Sequence, residues 1–297
     1  MPTAQVNGIE IWYDVIGPED GKPILLISGV GTQSTRWKDD FVAELNARGY
    51  RAIKMDNRDI GLSQKFTEHG IPDFSRILAD KAAGKTPDVP YTLSDMAADG
   101  AALLDYLGID KAHICGFSMG GMIVQLMAIE HPEKVLSMTT VMSNTGNPDL
   151  PRATDAAMAA LTRPRPDALI DREGAIQSRI ETDKVIGSPA YPIPEEELRA
   201  HAEADLDRSI HPTGFSRQYA AILATRDRRA ELQKLTMPVS VIHGVEDPLV
   251  PVEGGRDTAA NCPTAELFEI EGMGHNFPRE VYEQVLAGID SAVARAS

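Results

Sequence analysis

Residues 116–121 of the sequence read Gly-Phe-Ser-Met-Gly-Gly, and the arrangement of the other elements follows from this short motif. The motif comes directly after an apolar run, residues 112–115, and begins a helical stretch that Pro132 stops. Gly116 and Gly120 stand two residues on either side of Ser118, where a Cβ would clash in a turn from strand to helix. The pattern therefore predicts a sharp turn that exposes Ser118 beside the unpaired N–H groups of a helix start.

On both sides of this motif, short β-branched or aliphatic runs alternate with longer helical stretches. This alternation is typical of an α/β fold, in which helices cover a mostly parallel sheet. The runs with a strand pattern are residues 9–16, 24–28, 51–56, 111–117, 135–142, 239–243 and 266–270. The helical stretches are residues 37–48, 93–107 and 118–131, with two more that begin near residues 252 and 278.

The pattern changes after Asn144. Prolines at positions 148, 151, 164, 166, 189, 192 and 194 break up mainly helical pieces until about Leu232. We therefore predict a core domain of residues 1–143 and 233–297, with residues 144–232 as an inserted helical lid. A shorter excursion, residues 64–90, is placed where it too could overhang a site.

Composition argues against several classes of partner. With 29 Lys and Arg against 44 Asp and Glu, the formal charge of −15 disfavours nucleic acid and anionic membranes. Two cysteines form no disulfide framework, the first residues do not resemble a secretory signal, and no run of 18 apolar residues predicts membrane insertion. We expect a cytoplasmic protein, and the sequence leaves a homodimer open.

A serine hydroxyl needs a base, and seven histidines are available. His275 is the predicted base because it lies in a glycine-containing loop, residues 271–278, after the last strand, where loops meet at the carboxyl edge of the sheet. His243 lies inside an apolar strand and is interpreted as a core residue. The remaining histidines lie elsewhere: His69, His113, His131, His201 and His211.

The acid that orients the base is predicted to be Asp247. It lies in the loop that follows the strand at residues 239–243, and Pro248 holds the turn. Glu246 is the weaker candidate because its neighbouring position points it the other way. Ser118, Asp247 and His275 also appear in the chain order expected for a triad on this kind of sheet.

A developing oxyanion would be bound by the backbone N–H groups of Met119 and Val30, since Gly29 and Gly31 let the backbone approach closely. The same glycines imitate a dinucleotide-binding fingerprint, but Ser34 stands at the third glycine position and disfavours that interpretation.

Four residues are predicted to contact substrate. Gly29 and Phe117 adjoin the motif, whereas Phe215 and Tyr219 lie at helical spacing in the insertion and would form an apolar wall or anchor the insertion to the core. No metal-binding pattern occurs, and the predicted chemistry needs no cofactor.

These motifs together resemble those of the α/β-hydrolase superfamily over essentially the whole chain. The resemblance rests on the motif around Ser118, a stretch from Asp56 to Ser63 otherwise interpreted as a turn network, and the loops that carry Asp247 and His275. It is greatest for the lid-bearing carboxylesterase branch that includes aclacinomycin methylesterase. It implies an eight-stranded, mostly parallel sheet with helices on both faces and a helical lid inserted after the sixth strand.

The resulting functional prediction is a serine hydrolase that cleaves a small-molecule carboxylic ester through an acyl-enzyme. The same triad would also serve C–C bond, lactone or amide hydrolysis, or perhydrolysis. Dehalogenase and epoxide hydrolase chemistry is disfavoured because it needs a carboxylate at the position of Ser118. A binding protein without turnover is the alternative from another class.

Overall fold

The computed structural model describes residues 2–296, in which eight strands form one sheet in the order β1-β2-β4-β3-β5-β6-β7-β8. β1 and β2 pair antiparallel, β2 and β4 pair antiparallel, and every other neighbouring pair is parallel. This confirms the predicted sheet. The strands are β1 (Thr3–Val6), β2 (Ile9–Ile16), β3 (Lys22–Ile27), β4 (Tyr50–Met55), β5 (Ala112–Phe117), β6 (Val135–Val141), β7 (Val239–Gly244) and β8 (Ala265–Ile270).

Helices cover both faces of the sheet. In β3, Leu25 and Ile27 belong to one buried apolar cluster, whereas Ile24 and Leu26 belong to a second cluster on the other face. Successive side chains of a strand point to opposite faces, so an unbroken apolar run means that both faces are covered. The helices are α1 (Asp39–Ala47), α2 (Phe74–Ala82), α3 (Leu93–Tyr106), α4 (Met119–Glu130), α5 (Asp155–Thr162), α6 (Arg172–Ile186), α7 (Glu195–Arg208), α8 (Gly214–Ala224), α9 (Arg229–Leu232), α10 (Glu253–Asn261) and α11 (Tyr282–Arg295).

The strand β1 is absent from the sequence-based expectation. It is only four residues long and pairs with β2 through a hairpin in which Asn7 and Gly8 both have positive φ, 49° and 77°. An Asn-Gly pair is the usual solution for such a turn, because both central residues must adopt left-handed backbone. The sequence feature that indicates β1 is therefore the Asn7-Gly8 turn and not the pattern of the strand itself.

Residues 144–232, called the insertion below, leave the sheet after β6 and return to it at β7. They contain α5 to α9 and a small apolar cluster of their own, built from Ile176, Ile180, Leu198 and Ala202. The excursion at residues 64–90 contains α2, which packs against α8 of the insertion. The division into core and lid domains stays a prediction.

Among residues 2–296, every helix is too short or too polar to cross a lipid bilayer.

Candidate active site

Ser118 occupies the turn between β5 and α4, and its backbone is in an unusual conformation. Its φ is 55° and its ψ is −121°, a backbone conformation that residues other than glycine rarely adopt. A Cβ on Gly116 would lie 2.2 Å from the carbonyl oxygen of Gly120, and one on Gly120 would lie 2.1 Å from the carbonyl oxygen of Ile27. The two glycines are therefore required by backbone contacts that no side-chain motion can relieve.

Main-chain hydrogen bonds hold this turn in place. The Ser118 N–H donates to the Val141 carbonyl at 2.9 Å. The Ser118 carbonyl accepts from the Ser143 hydroxyl at 2.8 Å and from the Gly121 N–H at 2.9 Å. Surrounding structure thus fixes the strained residue, as a pre-organised nucleophile requires.

The structure brings the three residues predicted to form a triad into one hydrogen-bonded chain. His275 Nε2 lies 2.9 Å from Ser118 Oγ, and His275 Nδ1 lies 2.7 Å from Asp247 Oδ2. The second carboxylate oxygen of Asp247 accepts from the N–H groups of Leu249 and Val250, at 2.9 and 2.8 Å. Because the carboxylate is held at both oxygens, it fixes the imidazole with Nε2 toward the serine.

Two residues weighed against the triad members lie close by. Glu246 accepts from the Gly272 N–H at 2.6 Å and so faces away from His275. His243 is fully buried, and its Nε2 lies 2.8 Å from the Val250 carbonyl but 3.7 Å from Asp247. Burial lowers the pKa of His243, so the ring is neutral at physiological pH and does not compete with His275 for the Asp247 charge.

The insertion holds the loop that carries His275. The His275 N–H donates to the carbonyl of Ile186, the last residue of α6, at 2.7 Å. The Ser188 hydroxyl accepts from the Gly274 N–H at 3.0 Å and donates to Asn276 Oδ1 at 2.5 Å. Ser188 and Asn276 were missed by the sequence analysis, because no local motif links residues 88 positions apart.

Val30 and Met119 are the two residues predicted to bind an oxyanion through their backbone N–H groups. Within residues 2–296 neither finds an acceptor, and Val30 lines the cavity at Ser118 while Met119 is the first residue of α4. The next N–H along the loop, that of Gly31, donates instead to Gln218 Oε1 at 2.8 Å. Gln218 in turn donates to the Arg58 carbonyl, which fixes the loop against the insertion.

A small cavity adjoins Ser118, and a larger cavity shares one wall residue with it. The smaller, of about 110 Å³, is lined by Ser118 and His275 together with the predicted contacts Gly29 and Phe117. Phe117 packs edge-on against Trp37 and Phe277, 5.2 and 5.3 Å between ring centres, and so forms a rigid wall.

The larger cavity, of about 720 Å³, lies beneath the insertion. The predicted contacts Phe215 and Tyr219 line this cavity and not the smaller one, and their rings stack 5.8 Å apart. Leu161 lines both cavities, and Gly31 of the larger follows Val30 of the smaller. The two cavities are therefore neighbours.

The part of the chain that the structure describes contains no cluster of three or more His, Cys, Asp or Glu able to hold a metal ion. Cys115 and Cys262 are both free and buried.

Comparison with known proteins agrees with this geometry. The alpha/beta hydrolase fold family matches residues 22–278 of the chain. The protein belongs to the α/β-hydrolase family. Rhodomycin D methylesterase DnrP of Streptomyces peucetius is 28% identical over 97% of this chain and 97% of its own length. A putative carbamate hydrolase, RutD of Variovorax paradoxus, is 29% identical over 89% of this chain and 88% of its own length.

Among solved structures, this α/β-hydrolase is similar to the esterase RhEst1 from Rhodococcus, with a TM-score of 0.72 at 24% identity and 98% coverage of each chain. It is also similar to an enol-lactonase from Burkholderia xenovorans, with a TM-score of 0.66 at 22% identity, covering 99% of this chain and 98% of the other. The resemblance inferred from the motifs is thus confirmed at the level of the family.

Proposed function

We propose that the protein is a serine hydrolase that cleaves a small-molecule carboxylic ester, with Ser118 as nucleophile, His275 as base and Asp247 as the acid that orients the base. The observation that carries the proposal is the unbroken chain of hydrogen bonds from Ser118 Oγ through both ring nitrogens of His275 to Asp247, 2.9 and 2.7 Å long. Its similarity to methylesterases over 97% of the chain supports an ester as the substrate.

The reaction has two acyl-transfer steps. Ser118 Oγ attacks the ester carbonyl carbon while its proton passes to His275 Nε2, and Asp247 stabilises the imidazolium. The N–H groups of Val30 and Met119 bind the oxyanion. When the tetrahedral intermediate collapses, His275 returns the proton to the leaving alkoxide, which departs as the alcohol. A water molecule, deprotonated by His275, then cleaves the acyl-enzyme and releases the carboxylic acid and free Ser118.

The insertion acts as the lid of this site. Its residues Leu161 and Ile186 line the cavity at Ser118, and its carbonyl at Ile186 binds the His275 N–H. A lid that excludes water strengthens each electrostatic contact to the transition state. The large cavity beneath it leaves room for a substrate considerably bigger than acetate.

A second candidate is hydrolysis of a lactone or of a carbamate-type amide by the same triad. It is favoured by relatives named as putative carbamate hydrolases and as an enol-lactonase, which match 89% and 86% of the chain. Ester, lactone and carbamate hydrolysis all form a tetrahedral oxyanion, so the triad alone does not distinguish between these substrates.

The direct test is labelling with a fluorophosphonate, followed by peptide mapping, together with turnover of p-nitrophenyl butyrate. Wild-type protein is expected to be labelled at Ser118. The Ser118→Ala variant is expected to lose the label and roughly 10⁴-fold or more of kcat. Ser75→Ala, at an exposed position of α2, is the matched control and should behave as wild type.

Labelling at a different serine, or full turnover by folded Ser118→Ala, would contradict the proposed mechanism. Parallel assays with methyl butyrate, a lactone and a carbamate then rank the bond types by kcat/KM.

A further inference from the structure

The larger cavity beneath the insertion has a charge character opposite to that of the whole chain. The protein carries a formal charge of −15, yet none of the described residues that line this cavity is Asp or Glu. Three arginines line it instead: Arg163, Arg165 and Arg179. The rest of the lining is mainly apolar, with Phe215 and Tyr219 among its members.

Two of these arginines already have carboxylate partners. Arg163 pairs with Glu181 at 2.7 Å, and Arg179 pairs with Asp205 at 2.7 Å. Arg165 differs from both. Within residues 2–296 it has no hydrogen bond and no ion pair, and its only polar contact places the guanidinium 5.0 Å from the centre of the Phe215 ring.

The surroundings of Arg165 change its pKa without removing its charge. The side chain is exposed, but nearby protein removes part of its hydration; this desolvation and the charge of Arg179 lower the pKa of Arg165 to about 10, against the opposing charge of Asp183. The side chain therefore remains cationic at neutral pH. With no carboxylate of the described residues bonded to it, the guanidinium is free to bind an anion that enters the cavity.

The position of this charge connects it to the candidate active site. Phe215, which lies beneath Arg165, also lies against the loop that carries Val30, since a Cβ on Gly31 would be 2.7 Å from its ring. Leu161 forms part of the wall of both cavities. The path that the proposal requires for a substrate with its ester at Ser118 runs past Leu161 into the larger cavity.

We propose that the natural substrate carries a carboxylate in addition to the bond that is cleaved, and that Arg165 binds this carboxylate. The inference rests on the proposed function and narrows its substrate class. One unpaired guanidinium suits one carboxylate, which it can bind through two parallel hydrogen bonds. The apolar walls suit a hydrocarbon chain between the two groups, so a half-ester of a dicarboxylic acid represents the class.

The test compares two esters of nearly equal shape and different charge. The p-nitrophenyl half-ester of adipic acid carries a terminal carboxylate, and p-nitrophenyl 6-methylheptanoate replaces it with an uncharged isopropyl group. Wild-type protein is expected to prefer the half-ester in kcat/KM. Arg165→Met should reduce kcat/KM for the half-ester by on the order of tenfold or more and leave the neutral ester unchanged.

Arg165→Lys keeps the charge but loses the planar guanidinium. Its kcat/KM for the half-ester should lie between the values of wild type and Arg165→Met. The matched control is Arg152→Met, because Arg152 is an exposed arginine of the insertion outside the cavity lining, and its removal changes the net charge equally. It should leave the preference at the wild-type value. An equal loss for both esters in Arg165→Met would mean a structural role and would overturn the proposal, as would no loss for either.

A binding measurement separates this inference from the proposed mechanism. Calorimetry with monomethyl adipate on Ser118→Ala reports binding without turnover. Adding Arg165→Met to that variant should weaken binding at least tenfold, and unchanged binding would overturn the inference even if Ser118 proves to be the nucleophile. Conversely, cleavage of the ester by Ser118→Ala would contradict Ser118 as the nucleophile. The effect of Arg165→Met on binding would still test the role of Arg165.

Discussion

The edge of the sheet at Ser118 and the insertion above it are built on different principles. At the sheet edge, backbone atoms of buried strands and glycines hold Ser118, with contacts such as Gly120 to Ile27 that leave no space for a methyl group. The insertion combines a small apolar cluster with ion pairs, some between partly exposed side chains, such as Arg163–Glu181 and Arg199–Glu173, and one, Arg217–Asp59, fully buried against the core. The first region tolerates almost no change, whereas the second can vary its lining without disturbing the sheet.

The two regions meet at His275. Its side chain completes the triad with residues of the core, but its backbone N–H is bound by Ile186 of the insertion. Under the proposed function, this difference assigns the chemistry to the core and the substrate preference to the insertion, and it makes the proposed base depend on both.

The largest contrast is expected between two aspartates. Asp247→Asn should lower kcat by roughly 10³- to 10⁴-fold, because the amide no longer holds the imidazole in the tautomer that accepts the serine proton. Asp207→Asn, which removes an exposed pair with Arg172 in the insertion, should leave kcat unchanged. Steady-state kinetics with p-nitrophenyl butyrate measures both, and comparable losses in the two variants would contradict the division between the regions.

A smaller but clear contrast is expected in stability between two glycines near helix starts. Gly120→Ala should lower the free energy of unfolding by about 3 kcal/mol or more, since its Cβ would meet the backbone of Ile27 at 2.1 Å. In Gly174→Ala the three heavy atoms nearest to the new Cβ all belong to the side chain of Asp171, which can rotate away. The lost helix cap and the gain in helix propensity largely offset each other there, so the net change should stay within about 1 kcal/mol.

Urea denaturation followed by circular dichroism gives both values. A Gly120→Ala protein as stable as wild type would show that the turn can relax, and the glycine requirement inferred from the motif would then be wrong.

The smallest effect concerns the contact between the regions. Ser188→Ala removes the hydroxyl that bridges Gly274 and Asn276, and it should lower kcat on the order of tenfold with little change in KM, because the imidazole is then less well positioned. The control is Ser178→Ala, also in the insertion, whose buried hydroxyl has no partner among the described residues. Its kcat should match that of wild type, and equal values for the two variants would remove the positioning role of Ser188.

Much of the fold and the candidate triad is predictable from local patterns. The unbroken apolar run of β3 indicates a strand covered on both faces, and the glycines around Ser118 indicate a strand-to-helix turn. Parallel strands bring their following loops to one edge, so the order of Ser118, Asp247 and His275 along the chain predicts that they meet. These inferences need only the neighbours of each residue and the direction of each strand.

The rest depends on contacts between distant segments. Ser188 meets Asn276 only after the insertion packs on the core, and the broken helical pattern of residues 144–232 does not indicate which faces pack there. For the same reason, the sequence suggests that Phe215 and Tyr219 contact substrate but does not identify the cavity that they line. Arg165 belongs to no sequence motif. That it lacks a carboxylate partner among the described residues, unlike Arg163 and Arg179, is apparent only from the structure.

The hydrogen bond between the His275 amide and the Ile186 carbonyl also constrains how the pocket can open. If the end of α6 moved away from the sheet, it would break this bond and loosen the imidazole of His275. We infer that an opening movement which keeps the proposed base in place leaves this end of α6 fixed. Such a movement is expected at the other end of the helix, which Leu169 and Ile170 precede and where they are 75% and 87% exposed.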